Sequence, residues 1–268
     1  MNSPSQTHAY VTSAAGGCLS HFSITDRETK RLTATTQSGG IRERIRGFSR
    51  SSRRRLLRCM ASINRPVFRA YKGRLIFITL TYPHKYPENP KVCKRHLKAL
   101  RKRLTRRYGE FFGFWRLGVQ KRGAWHFHLL LFMPRSAWNS LEELRCFAAS
   151  AWYEVLGEVS EGHLLAGTRV EEIRTWRSAT SYAERYVAKP EAFPEGVDTG
   201  RVWGKWNEKL LPVRWETVGI SLKDAYRIRR VYRRLAGMRG SGPLCRLTVF
   251  IMHENVLRLL AFLGYPPP

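Results

Sequence analysis

Two histidines separated by one residue stand in a segment that is otherwise typical of a buried β-strand. The segment is RGAWHFHLLLF, residues 122–132, and it contains His126 and His128. Alternate side chains of a strand point to the same face, so both imidazoles share one face while Phe127 points into the core. Neutral imidazole is a common metal ligand, which makes a metal site one interpretation. A hydrogen-bonded pair of core histidines is the other, since buried polar rings must be satisfied.

Two tyrosines four residues apart form a second candidate for chemistry. Tyr182 and Tyr186 lie in SATSYAERYVAKPE, residues 178–191, which predicts a short helix that ends before Pro190. This spacing places both rings on one helix face, where an aromatic core pair is the alternative to a reactive pair. A tyrosine with its usual pKa of about 10 is a poor nucleophile, so nearby positive charge or a metal ion would be needed to activate it.

The net charge of the chain predicts a polyanionic partner. The 268 residues include 48 Lys and Arg against 20 Asp and Glu, a net charge of +28. Nucleic acid is favoured over an anionic membrane because the basic residues interleave with folded patterns along the whole chain. The longest apolar tract is interrupted by charges and predicts no membrane span. Five scattered cysteines without a C-x-x-C pair disfavour a cysteine zinc cluster, and a reducing cytoplasm is expected.

The elements that must position these residues alternate between strands and helices. Strands are predicted over 74–83, 114–120, 125–132 and 168–174, with a further strand or turn over 201–207. Helices are predicted over 91–108, 140–157, 178–191 and 221–236, the first with Asn89 as its N-cap and Gly109 after its end. Hairpin neighbours next to helical crossovers indicate an α+β fold, a central antiparallel-rich sheet with helices packed on it.

The chain is predicted to contain one main domain with two flanking segments. Residues 1–45 have little periodicity and are expected to be mostly disordered. The domain covers 46–236 and begins with a basic helical arm that starts near Ser49 or Ser51. A C-terminal helical extension covers 237–268. The arginine run of the arm is either a solvated face or a phosphate-binding arm.

Three segments in order resemble the HUH endonucleases, specifically the rolling-circle replication initiator (Rep) proteins of plasmids and small single-stranded-DNA phages. The segments are FITLTYP at 77–83, the paired histidines of QKRGAWHFHLLLF, and YAERYVAK at 182–189. They match an F-x-T-L-T-x-P strand, a His-hydrophobic-His strand and a Y-x-x-K-Y-x-x-K helix. GRVWGKWN, from residue 200, is similar to a segment that often follows. The resemblance covers roughly 46–236 and implies an HUH, RRM-like palm.

The resemblance implies metal-dependent, sequence-specific nicking and rejoining of single-stranded DNA that initiates rolling-circle replication. His126 and His128 would hold a divalent metal ion, Mg²⁺ or Mn²⁺. Family members often carry a glutamate at the position of Gly118 as a third ligand. A turn over 122–124 would place Gln120 opposite His126, so Gln120 is the expected substitute ligand.

In the same family picture a tyrosine attacks the scissile phosphate, leaving a 5′-phosphotyrosine and a free 3′-hydroxyl. Tyr182 and Tyr186 would alternate in this role. Lys189 matches the second lysine of the motif and would position the phosphate or protonate the leaving group. Arg185 replaces the first lysine and can supply only charge. The predicted DNA-binding residues are Arg53, Arg54, Arg55, Arg101, Arg122 and Arg185.

Alternatives remain open at this stage. A transposase or relaxase would share the same chemistry, and a non-catalytic basic nucleic-acid-binding protein would need neither a metal ion nor a covalent adduct. The basic helices 91–108 and 221–236 are expected to flank a groove for single-stranded DNA at a replication origin. No Walker motif is present, so unwinding is expected to depend on a separate host helicase, and no membrane partner is expected.

Overall fold

A computed structural model describes most of the folded core of the chain. The described residues are 8–14, 20–25, 48–49, 52–53, 55–56, 59, 73–134, 138–157, 160–174, 193–210, 215–235, 246–249 and 253–266. They fall into two compact units. The larger unit comprises 43–57 and 67–211, and the smaller comprises 1–42, 58–66 and 212–268.

The larger unit is built on a five-stranded, fully antiparallel sheet with the order β6-β3-β5-β4-β7. Its strands are β3 (Gly73–Thr81), β4 (Phe112–Val119), β5 (Trp125–Pro134), β6 (Thr168–Ile173) and β7 (Trp203–Trp206). The central strand β5 is buried over most of its length, which explains why its sequence is a nearly continuous apolar run. The predicted α+β fold with an antiparallel sheet is therefore confirmed.

Helix α1 (Pro90–Tyr108) begins and ends where its sequence indicates. The Asn89 side chain accepts a backbone N–H of the first turn, and Pro90 occupies the first helical position, where it has no hydrogen bond to lose. The helix ends before Gly109, whose φ of 76° suits glycine. The buried row of the helix is Cys93, Leu97, Leu100, Leu104 and Tyr108.

Helices α1 and α2 (Leu141–Leu156) pack on the same face of this sheet, and the short helix α3 (Glu161–Ala166) follows. The Trp152 ring of α2 lies 6.5 Å from the ring of Phe127 and donates its indole N–H to the Thr81 carbonyl. Tyr108 of α1 contacts Phe147 of α2 at 5.3 Å between ring centroids. We call this side the helix face, and the side that carries His126 and His128 the His face.

The smaller unit contains a four-stranded antiparallel sheet with the order β8-β1-β2-β9. The strands are β1 (His8–Ala14), β2 (Ser20–Thr25), β8 (Trp215–Ile220) and β9 (Arg246–Val249), and the helices are α4 (Leu222–Leu235) and α5 (His253–Phe262). Helix α4 begins with the predicted cap, in which the Ser221 hydroxyl accepts the backbone N–H of Asp224.

This unit differs from the predicted domain organisation. Two strands lie within residues 1–45, which were expected to be mostly disordered, and α4 lies with them rather than with the domain predicted over 46–236. The strands β1 and β2 pair with segments near the other end of the chain, so no local pattern indicates their partners. Within the described residues, no helix is both long enough and apolar enough to cross a membrane.

Candidate active site

The two histidines of β5 form a close pair on the His face. Their Nε2 atoms are 3.0 Å apart, and their rings meet edge to face with centroids 4.7 Å apart. His126 is buried and His128 is half-buried. The prediction that both rings share one face, with Phe127 in the core on the other, is confirmed.

A hydroxyl from the neighbouring strand holds the His128 ring. Thr79 lies directly opposite His128 on β3, and its Oγ1 is 3.2 Å from His128 Nδ1. The Phe77 ring also stacks on His128, with centroids 5.5 Å apart and planes 22° apart. Metal-binding histidines commonly use the second ring nitrogen in such a hydrogen bond, which fixes the ring orientation. His128 is therefore held with Nε2 directed toward His126.

Thr81 sits in the same row but makes a different bond. It lies opposite His126, and its hydroxyl donates to the Gly167 carbonyl at 3.1 Å. Of the two threonines in FITLTYP, one thus orients a histidine and the other is bound to the backbone that precedes β6.

The predicted position of Gln120 is wrong. The residue opposite His126 on β4 is Gly118, and the one opposite His128 is Arg116. The β4–β5 turn closes two residues earlier than predicted: the backbone N–H of Gln120 donates to the Ala124 carbonyl. Gly123 adopts a φ of 85° in this turn, a conformation that glycine accepts without strain.

Gln120 is used within the turn itself. Its Oε1 accepts the Nε–H of Arg122 at 2.9 Å. Gly118, opposite His126, has no side-chain donor atom. Among the residues that the structure describes, no group of three or more His, Cys, Asp or Glu side chains is arranged to hold a metal ion. The described part of the site thus supplies two nitrogen ligands.

The spacing of the two nitrogens fits a metal ion with ligands at right angles. Two nitrogens that each lie about 2.1 Å from one ion, at 90° to each other, are about 3.0 Å apart. A tetrahedral angle at the same bond length would place them about 3.4 Å apart. The observed 3.0 Å matches the octahedral arrangement that Mg²⁺ and Mn²⁺ prefer. An N–H···N hydrogen bond between two neutral rings has the same length.

A buried arginine that the sequence analysis missed lies in the same row. Arg116 is fully buried, and its guanidinium carbon lies 4.5 Å from the centre of the Phe48 ring. The available signal was the alternation of FGFWRLGV, which puts its one charged residue on the face of the histidines. A permanent positive charge therefore stands beside His128 and favours an approaching anion.

The arm segment, residues 48–56, is bound to the His face of the sheet. Trp203 lies opposite Arg116 on β7, and its indole N–H donates to the Ser52 hydroxyl at 2.7 Å. Ser49 caps the helical turn by accepting the backbone N–H of Ser52, which confirms the predicted start of the arm helix. Together with Phe48, this bond holds the arm on the same side as the histidine pair.

The predicted DNA-binding arginines are in different surroundings. Arg53 and Arg55 belong to the arm segment, and Arg55 is exposed. Arg101 donates to the Asn207 side chain at 2.6 Å, on the helix face. Arg122 donates to the carbonyl groups of Tyr82 and Pro83, which joins the β4–β5 turn to the end of β3. The last two arginines therefore have structural partners, and their DNA contacts stay predictions.

Several predicted residues lie outside the described part of the chain, namely Tyr182, Tyr186, Lys189, Arg185 and Arg54. Their roles stay predictions. Tyr82, which lies within the described part, is unsuited to the role of nucleophile because burial raises its pKa above the usual range. Its hydroxyl is 3.2 Å from His96 Nδ1 on the helix face.

Comparison with known families points in the same direction as the motifs. Residues 75–191 match the ORF2 family of replication-associated proteins, a match that spans less than half of the chain. This range runs from β3 through the histidine pair and β6 to the predicted tyrosine helix. The similarity supports a Rep-type replication initiator, and therefore a DNA-binding protein. No curated protein matches the chain.

Proposed function

We propose that this protein is a metal-dependent endonuclease that nicks and rejoins single-stranded DNA at a specific sequence to initiate rolling-circle replication. The observation that carries the proposal is the histidine pair, with two Nε2 atoms 3.0 Å apart and a threonine hydroxyl at the second ring nitrogen of His128. The similarity to replication-associated proteins and the net charge of +28 support a DNA substrate.

His126 and His128 would hold one divalent cation, Mg²⁺ or Mn²⁺. When bound, such an ion supplies Lewis-acid polarisation of the scissile phosphate. Thr79 keeps His128 in the ligand orientation, and Phe77 limits rotation of its ring. The buried charge of Arg116 makes the His face more favourable to a phosphate.

In the proposed reaction, a hydroxyl oxygen of Tyr182 or Tyr186 forms a bond to the phosphorus while the bond from phosphorus to the 3′-oxygen breaks. The tyrosine loses its proton to solvent, and the 3′-oxygen gains one, with Lys189 placed to deliver it or to position the phosphate. The products are a 5′-phosphotyrosine and a 3′-hydroxyl that can prime synthesis. Attack by a 3′-hydroxyl on the phosphotyrosine reverses the step and rejoins the strand. A transposase or relaxase would use the same reaction.

The arm segment gives the DNA strand a path to this site. Its arginines, Arg53 and Arg55 among the described residues and Arg54 and Arg185 beyond them, would contact phosphates beside the histidine pair. Unwinding of the origin would require a separate host helicase.

A second candidate, a non-catalytic basic nucleic-acid-binding protein, is favoured by one specific observation. Gly118 and Arg116 stand opposite the two histidines, so β4 contributes no acidic ligand to the row. In that case the two rings would satisfy each other through an N–H···N bond, and DNA binding would need no metal ion.

Adduct formation separates the two candidates. We would incubate the protein with a labelled single-stranded DNA library and Mn²⁺ or EDTA, and score protease-sensitive covalent adducts. The proposal expects an adduct that requires the metal ion and is lost in His126→Ala and in Tyr182→Phe or Tyr186→Phe. His96→Ala, a histidine substitution on the helix face, is the matched control and should keep the adduct. Strong binding without an adduct would support the non-catalytic candidate.

A further inference from the structure

The basic residues of α1 divide into two sets with different surroundings. One set flanks the buried row of the helix and has partners within the larger unit. Lys94 donates to the Thr199 carbonyl, and Arg101 donates to Asn207. Arg103 pairs with Glu154 and Arg107 with Glu143, both on the neighbouring helix α2 or at its start. These residues help to hold the unit together.

The other set forms a line of charge, which we call the α1 stripe. Its members recur every third or fourth residue and are all exposed: Lys91, Arg95, Lys98, Lys102 and Arg106. With a rise of 1.5 Å per residue, the line extends about 22 Å along the helix axis. None of the ion pairs formed among the described residues includes a member of the stripe. The fold therefore makes no visible use of these charges.

The stripe faces away from the candidate active site. The buried row of α1 packs toward the sheet, and the stripe lies on the opposite side of the helix. Since α1 and α2 cover the helix face, the stripe and the histidine pair lie on opposite sides of the same five-stranded sheet. This differs from the expectation that α1 flanks the groove for the strand that is cut.

A line of like charges on one helix face is unfavourable without a partner. Basic residues three or four apart repel each other, and the stripe contains four such neighbouring pairs. A polyanion would remove this repulsion, and its binding would be driven by release of counterions from the phosphates.

The chemistry of the stripe indicates which polyanion it fits. Proteins that bind single strands combine basic residues with exposed aromatic rings on which bases stack. The exposed residues of α1 include no aromatic side chain, and its Tyr108 is buried. A straight, rigid row of charges instead suits the regular phosphate rows of a double helix, which can be contacted without reading the bases.

We propose that the α1 stripe binds the phosphate backbone of duplex DNA, on the side of the sheet away from the histidine pair. This inference rests on the proposed function, since it assigns a second DNA surface to the same initiator. The His face would then hold the single strand to be cut, while the stripe would hold adjoining double-stranded DNA.

The test is the salt dependence of equilibrium binding, measured by fluorescence anisotropy with a DNA duplex and with a single strand of the same length. The variant replaces Lys98, Lys102 and Arg106 by glutamine. A matched control replaces three scattered, exposed basic residues, Lys121, Arg201 and Lys209, by glutamine, so that the net charge changes equally. For the stripe variant on duplex, we expect the slope of log K against log salt to decrease by about 0.9 for each phosphate interaction removed, or about 2.7 in total.

The control should change the duplex slope by less than the value for one phosphate, and the stripe variant should bind the single strand like the parent protein. An unchanged duplex slope, an equal decrease in the control, or an equal decrease on the single strand would each overturn the stripe proposal. Tighter binding to an RNA duplex than to the DNA duplex would overturn the choice of partner. Adduct formation on a short single strand is scored separately, so absence of nicking would refute the proposed function without changing the slopes.

Discussion

The hydrogen bond between Thr79 and His128 gives the most direct test of the metal site. Thr79→Val removes the hydroxyl that lies 3.2 Å from His128 Nδ1 and keeps the branched shape of the side chain. Losing an outer hydrogen bond of this kind typically lowers metal affinity 10–100-fold, or about 1.4–2.7 kcal/mol. Because the stacked Phe77 ring still restrains His128, we expect a loss near the lower end, about tenfold in the affinity for Mn²⁺.

The assay is isothermal titration calorimetry with Mn²⁺ on the folded protein, which does not depend on nicking. Thr79→Ser, which restores a hydroxyl, should recover most of the affinity. Thr81→Val is the matched control on the same strand, because its hydroxyl donates to the Gly167 carbonyl and not to a histidine. It should lower the free energy of unfolding and leave Mn²⁺ affinity unchanged.

Two outcomes would refute this reasoning. If Thr79→Val binds Mn²⁺ as tightly as the parent protein, the hydroxyl does not orient a metal ligand. If Thr81→Val weakens Mn²⁺ binding as much as Thr79→Val does, the effect belongs to the stability of the strand and not to the histidine ring. Absence of any Mn²⁺ binding by the parent protein would favour the hydrogen-bonded pair of histidines.

Three further predictions concern the fold around the site. Burial lowers the pKa of His96, so the unfolded chain binds more protons just below the usual histidine value; stability should fall as the pH drops below about 6.5, and less steeply in His96→Gln, by thermal unfolding across pH. Gly113→Ala would place a Cβ 2.6 Å from the Leu130 carbonyl oxygen and should lower the free energy of unfolding by about 1–3 kcal/mol in urea titrations. Trp203→Phe removes the donor to Ser52 and should speed hydrogen exchange in the arm segment, whereas unchanged exchange would show that this bond does not hold the arm.

Much of the candidate site could be predicted because it depends on local periodicity. Alternation along β5 places His126 and His128 on one face whatever the rest of the sheet does. The ends of α1 follow from Asn89 and Gly109, which satisfy or terminate the helix through their own side chain or backbone. These features need no knowledge of distant residues.

The third-ligand prediction failed because strand register is not a local property. Whether Gln120 or Gly118 faces His126 depends on which residues close the β4–β5 turn, and one choice differs from the other by two positions. The importance of Arg116 was equally invisible, because its neighbours come from β5 and from the arm segment.

The sequence by itself determined the helix and strand periods, the shared face of the two histidines and the excess of positive charge, because each of these is set by the backbone geometry or the composition of one segment. Only the tertiary structure decided which side chains stand opposite the histidines, which strands pair with β1 and β2, and which charges of α1 are paired with α2. Those features depend on contacts between segments far apart in the chain, which hydrogen-bond closure and packing select together.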